Sequence, residues 1–157
     1  MRGKQAPKRT ILPDPKYHSL LLAKFVNYLM LDGKKTIAQQ IVYSALEILA
    51  KKQDGEALKL FEKVIETAKP QVEVRSKRVG GANYQVPMPV IGNRGNTLAF
   101  RWILIAARAR KNASMEVKLS AEFSDILEGI GGTMKKRDDV HRMAEANKAF
   151  AHFARRR

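Results

Sequence analysis

The sequence predicts a mainly α-helical single domain of about six helices, with a protruding two-stranded β-hairpin arm between the third and fourth helices. Three observations predict it. From Leu20 onward, apolar residues recur every three or four positions through most of the chain, the spacing of helices with one buried face. Residues 72–90 alone alternate at every second position, on both sides of Gly80-Gly81, as the strands of a hairpin do around a turn that needs positive φ. Breakers separate the runs: Asp32-Gly33, Asp54-Gly55, Pro70, and Gly129, Gly131 and Gly132.

In chain order, Leu22, Phe25, Val26, Leu29 and Met30 share one face of a first helix, which Asp32-Gly33 ends. Thr36 and Gln39 have the spacing of a capping box for the second. Ile37, Ile41, Val42, Ala45, Ile48 and Leu49 are expected to face inward on that helix. The third turns Leu58, Phe61, Val64, Ile65 and Ala68 inward and closes before Pro70.

In the ribbon, Val72, Val74, Tyr84, Val86, Met88 and Val90 are expected on one face. Glu73, Arg75, Lys77 and Gln85 are expected on the other, with Arg78 near the tip. Pro87 and Pro89 share a parity, so both can point the missing N–H away from the partner strand. An isolated ribbon is marginal in water, so this one leans on a body or on a ligand.

The fourth helix, over residues 96–111, carries Leu98, Trp102, Ile105 and Ala109 on one face and Phe100, Ile103 and Leu104 around the rest. A helix apolar almost all round is a central one. Its exception is a seam: Arg101 and Arg108 stand seven apart and nearly superpose in projection, and Arg94 continues the spacing. Arginines on such a helix must be paired or must open onto an anion. Arg110 and Lys111 follow, where their charge suits the helix dipole.

Ser114 caps a fifth helix, with Met115, Leu119, Phe123, Ile126, Leu127 and Ile130 facing in and Glu122, Asp125 and Glu128 on the outer side. The last helix runs from Thr133 towards the C-terminus. Val140, Met143, Ala144, Asn147, Phe150 and Ala151 form its inner stripe, leaving Lys135, Lys136, Arg137, Arg142 and Lys148 outside. Residues 1–16 read as a basic N-terminal arm, and 17–157 as one helical, RNA-binding domain with its arm at 72–90.

That binding role comes first from charge. Thirty Lys and Arg against fifteen Asp and Glu leave a formal charge of +15. A compact domain carrying that much of one sign repels itself unless an anion accompanies it, and nucleic acid is the usual partner. Lys34 and Lys35 at a helix start oppose the dipole, and a phosphate there would favour them. No run is apolar long enough to span a membrane. The basic N-terminus lacks the apolar core of a secretory signal.

Chemistry is not indicated. The chain has no cysteine, which removes disulfides and thiolate–metal sites. His18, His141 and His152 lack ligand spacing, and Gly80-Gly81 lacks the frame of a phosphate loop. The sequence therefore predicts no catalytic site, no metal, no cofactor and no small-molecule substrate. A DNA-architectural protein gripping duplex with its β-arm is the alternative. Such proteins insert apolar wedges between base steps, and a Val79-Gly80-Gly81-Ala82 tip places none.

Three strings carry a resemblance. Residues 12–45, LPDPKYHSLLLAKFVNYLMLDGKKTIAQQIVYSA, residues 75–87, RSKRVGGANYQVP, and residues 141–153, HRMAEANKAFAHF, resemble the bacterial-type small-subunit ribosomal protein seven family. With Arg101-Trp102 the likeness spans nearly the whole chain. It implies a helical domain with a β-arm that binds small-subunit rRNA directly and helps its 3′ major, or head, domain to fold. The arm and the C-terminal helix would approach the exit-site tRNA and the mRNA path, with ribosomal proteins nine and eleven as neighbours.

By this likeness RNA binding falls to Arg2, Lys4, Lys8, Arg9, Lys34, Lys35, Arg75, Lys77, Arg78, Arg101, Arg108, Lys135, Lys136 and Arg137. Arg94, Arg110 and Lys111 complete the set. Arg78, Val79, Gly80, Gly81 and Ala82 would face tRNA, with Arg142. The implied location is the ribosome of a bacterial cytoplasm. Pro89 departs from the family pattern by standing where an acidic residue is expected, and the chain's start is less basic than the family's.

Overall fold

The computed structural model describes residues 3, 6, 7 and 9–155. Its contacts divide the chain into two compact units, residues 1–40 and 41–157, with the boundary inside the second helix. Among the described residues the secondary structure is helical except for one antiparallel hairpin.

The first unit holds α1, Leu20–Leu29, and the start of α2, Lys35–Gln53. Ser19 caps α1, its hydroxyl accepting the Leu22 N–H at 3.4 Å. Leu22, Ala23, Phe25, Val26 and Leu29 are buried, close to the expected stripe. The helix ends before Met30, whose backbone turns to ψ 135° while its N–H still bonds Val26. Asp32 and Gly33 then reverse the chain at positive φ. Ahead of α1, Asp14 is 2% exposed, and its carboxylate accepts the N–H groups of Lys16 and Tyr17, each at 3.1 Å. The end of the basic arm is thus anchored by the acid among its cations.

Two expectations for α2 fail. Thr36 lies inside the helix rather than at its cap. The buried residues are Ala38, Val42, Ala45, Leu46 and Leu49, while Ile37 and Ile48 are exposed. The buried stripe is therefore rotated from the predicted one, running through Ala38, Val42, Ala45 and Leu49.

The second unit is built on α3 (Ala57–Ala68), α4 (Arg94–Ala109), α5 (Met115–Leu127) and α6 (Gly131–Ala146). Helix α4 touches α3, α5 and α6, as its apolar circumference requires. Phe61 of α3 meets Phe123 of α5 edge to face at 6.0 Å, a favoured ring geometry. Leu98 and Trp102 of α4 pack with Val140 of α6 and with Val90, where the ribbon ends.

The ribbon consists of β1, Val72–Val79, and β2, Ala82–Pro89, closed by Gly80 and Gly81 at φ 58° and 91°. The ladder runs from Val79↔Ala82 to Val72↔Pro89, so Pro89 does not disrupt the base. The predicted faces do not hold. A two-residue turn makes each odd-numbered residue of β1 oppose an even-numbered residue of β2: Glu73↔Met88, Arg75↔Val86, Lys77↔Tyr84. Opposed residues project to the same side. Glu73, Arg75 and Lys77 therefore share a face with the apolar residues of β2, not with its polar ones. That face holds Glu73 and Val86, the two buried residues of the ribbon.

The last helix is shorter than predicted. It stops at Asn147, whose side-chain amide donates to the Met143 carbonyl at 2.8 Å, and Lys148–Arg155 continue as a 3-10 segment. In a 3-10 helix residues three apart are aligned. Phe150 and Phe153 consequently both reach Tyr84 of β2, at 5.1 and 5.2 Å between ring centres. The ribbon leans on this segment and on α6.

Candidate nucleic-acid interface

Helix α4 supplies the clearest basic surface. Its buried residues include Leu98, Ala99, Phe100, Trp102, Ile103, Leu104 and Ala107. Outside lie Arg101, Ile105 and Arg108, one residue per turn, with Ala109, expected inward, exposed at the helix end. Ile105, expected inward, is 66% exposed between the two arginines. Arg94 opens α4 and completes the seven-residue spacing, but its guanidinium is turned to Glu73.

Several predicted cations already hold protein partners. Arg75 pairs with Glu73 through Nε at 2.6 Å and also through Nη2. Lys77 donates to the Phe153 carbonyl at 2.8 Å. Arg137 donates to the Thr67 carbonyl of α3 at 2.8 Å and pairs with its neighbour Asp138. Arg142 is 78% exposed in its side chain and pairs with Asp139 at 3.0 Å.

Arg110 is engaged most. Its Nη2 bonds Glu122 at 2.6 Å and also reaches Asp125. Glu122 is not on the outer side of α5: it is 1% exposed and accepts the N–H and hydroxyl of Thr133 at 2.9 and 2.7 Å. Gly131 keeps this corner open, since a Cβ there would stand 2.9 Å from the Asp125 Cβ and 3.4 Å from the Glu122 Oε1. This network ties the end of α4 to α5 and to the start of α6. For Arg110, burial lowers the pKa, but hydrogen bonds and charge from Asp125 and Glu122 outweigh it and raise the guanidinium further above neutrality.

The remaining cations face solvent. Lys34 and Lys35 lie exposed at the start of α2, and Arg9, Arg78, Lys111, Lys135 and Lys136 are exposed as well. At the ribbon's tip Gly80, Gly81 and Ala82 are exposed and Val79 is half-buried. Arg2, Lys4 and Lys8 lie outside the described residues. His141 uses Nε2 to accept the Gln71 N–H at 3.2 Å, a structural task. Among the described residues no three His, Asp or Glu gather as a metal site, and no helix is long and apolar enough to cross a membrane.

Residues 1–148 match the family described as Ribosomal protein S7p/S5e. The chain belongs to that family. Among curated relatives, the small ribosomal subunit protein uS7 of Eikenella corrodens is 57% identical over 153 residues, 97% of this chain and 98% of its own. Those of Chromobacterium violaceum and of Neisseria meningitidis serogroup B (strain MC58) are each 55% identical over 152 residues, 97% of both chains. The S7p/S5e match thus takes in the arginine seam, the whole ribbon and α6.

Two features of this S7p/S5e chain escaped sequence reasoning. Simple alternation puts Glu73 on the polar ribbon face, whereas the two-residue turn already determines which strand residues share a side. Hydrophobicity alone puts Ile105 in the core, whereas a position four after Arg101 and three before Arg108 shares their exposed face.

Proposed function

We propose that this protein is a structural, non-enzymatic component of the small ribosomal subunit that binds rRNA of the head domain directly and helps it fold. The observation that carries the reading is the exposed Arg101–Ile105–Arg108 line on a helix otherwise closed in the core. Exposed arginines on a rigid, central element are preorganised for phosphate, and membership of the S7p/S5e family supports rRNA as the source. Lys34, Lys35, Lys111, Lys135 and Lys136 extend the contact, with Arg2, Lys4, Lys8 and Arg9 of the N-terminal arm. The ribbon tip, Arg78 to Ala82, and Arg142 stand near the exit-site tRNA and the mRNA path. Ribosomal proteins nine and eleven are neighbours, and the assembly is that of a bacterial cytoplasm.

The test is chemical footprinting of head-domain rRNA with wild-type protein and with Arg101→Gln/Arg108→Gln. Protection of head-domain nucleotides is expected with wild type. The double variant should keep its helical content and bind about 5- to 100-fold more weakly, the range for losing two charge-assisted contacts. Normal binding by the variant would make the seam structural. A preference for duplex DNA in competition would favour the architectural alternative.

A further inference from the structure

We infer that Glu73 is a positioning residue for RNA, holding Arg75 and Arg94 so that their outer edges receive one backbone phosphodiester at the base of the ribbon. This rests on the rRNA-binding reading above. Glu73 is 6% exposed, and its two oxygens are divided between two arginines from different elements. Oε1 takes Arg75 of β1, through Nε at 2.6 Å and through Nη2. Oε2 takes Arg94 at the start of α4, through Nε at 3.0 Å and Nη2 at 2.9 Å.

Both guanidinium groups thus present the same edge, Nε with Nη2, to the carboxylate. A guanidinium has five N–H donors in a rigid fork, so the Nη1 edge of each remains for another acceptor. Neither arginine has a further partner among the described residues. Both stay accessible, at 53% and 38% of their side chains, while the acid beneath them does not.

The three groups border an open cleft of about 210 Å³, with Met88, Pro89 and Ile91 as its apolar walls. Two guanidiniums and one carboxylate leave a single net positive charge, the complement of one phosphodiester. Fixing the two forks in advance removes the side-chain ordering that binding would otherwise cost. A purely structural role, pinning β1 to α4, makes a different forecast.

The forecasts differ in sign. Glu73→Gln removes a negative charge from a protein that binds a polyanion, so bulk electrostatics and a structural pin alike give equal or tighter binding once the protein is folded. Positioning gives the reverse. Binding of the full chain to a head-domain rRNA fragment is measured across a salt series, with helical content followed by circular dichroism. Glu73→Gln is expected to bind roughly fivefold more weakly and to flatten the log–log salt slope by about one unit, as the loss of one phosphate contact does.

Equal or tighter binding, or weaker binding with an unchanged slope, overturns the inference. If Glu73→Gln alone does not fold, the triple variant with Arg75→Gln and Arg94→Gln leaves no buried charge. It should flatten the slope by about one to two units, and a wild-type slope there overturns the inference as well. Wild-type protein that fails to bind the fragment would instead remove the rRNA reading itself.

Discussion

Glu122 and Glu73 are both buried carboxylates in a chain with twice as many cations as anions, and both answer to arginine. Removing one partner of a buried pair leaves the other unpaired. Glu122→Ala leaves Arg110 with Asp125 alone and strands the N–H and hydroxyl of Thr133. Chemical denaturation should then show a loss of about 1–3 kcal/mol, below the full value for a broken buried pair because Arg110 keeps one acid and is partly exposed. Glu73 adds a pH dependence. Burial pushes its carboxyl up, but hydrogen bonds and charge from Arg94 and Arg75 outweigh it and hold the group below its ordinary 4.5. A depressed folded-state pKa stabilises above the unfolded value, and that stability is lost as pH falls through the folded one. Urea midpoints should therefore drop below pH 4.5, and Glu73→Gln should reduce that acid sensitivity. Neither acid's role was legible from composition, which counts charges but does not pair them.

At the scale of elements, the existence of the helices was legible from a 3.6-residue period repeated over several turns, and the buried face was legible in some, though not in α2. Helix α3 is one where it was: four of its five predicted inward residues are buried. Ends and short faces were less legible. The stop at Asn147 and the change to a 3-10 segment accompany a contact far away in sequence, the Tyr84 ring against Phe150 and Phe153, which no local pattern announces. The ribbon existed plainly in the sequence, but its sides depended on turn length. The register also decides which residues at the tip can be replaced without disturbing the foot. Lys77 and Tyr84 are anchored to the 3-10 segment, so only Val79-Gly80-Gly81-Ala82 should be replaced, by Asn-Gly, a sequence suited to the same kind of turn. Head-domain rRNA affinity should stay within about twofold, since each lost contact there would otherwise shift it and the salt slope. Crosslinking or retention of exit-site tRNA on assembled subunits should fall. Loss of rRNA binding itself would make the tip a primary anchor.

For the whole molecule, the formal charge of +15 acts in opposite directions on folding and on binding. Screening relieves self-repulsion in the free protein. It also removes the gain from releasing counterions when phosphates are neutralised. Raising potassium chloride should therefore raise the melting temperature of the free protein while weakening rRNA binding by about 0.7–0.9 of a log unit per log unit of salt for each phosphate contacted. A melting temperature that falls over the same series would show that the internal pairs at Glu73, Glu122 and Asp139 outweigh the repulsion. The candidate interface was legible at this scale as a charge, and at the residue scale only in part. Arg101 and Arg108 lie exposed on α4 where the spacing put them. The spacing did not announce that Glu73 would draw Arg94, Glu122 would draw Arg110, or the Thr67 carbonyl would draw Arg137.

The alternation forced by Gly80 and Gly81 restricts how the arm can change its length. One added residue within either strand, unless a bulge absorbs it, moves the pairs on one side of it to the other face, taking Glu73 away from Arg94 or Tyr84 away from Phe150. Adding or deleting matched residues, one from each strand beside the turn, leaves every lower pair where it was. The paired arm thus lengthens or shortens in such matched steps, each worth about 3.3 Å of reach, and a single insertion within a strand is opposed by the contacts at the foot of the arm rather than by its tip.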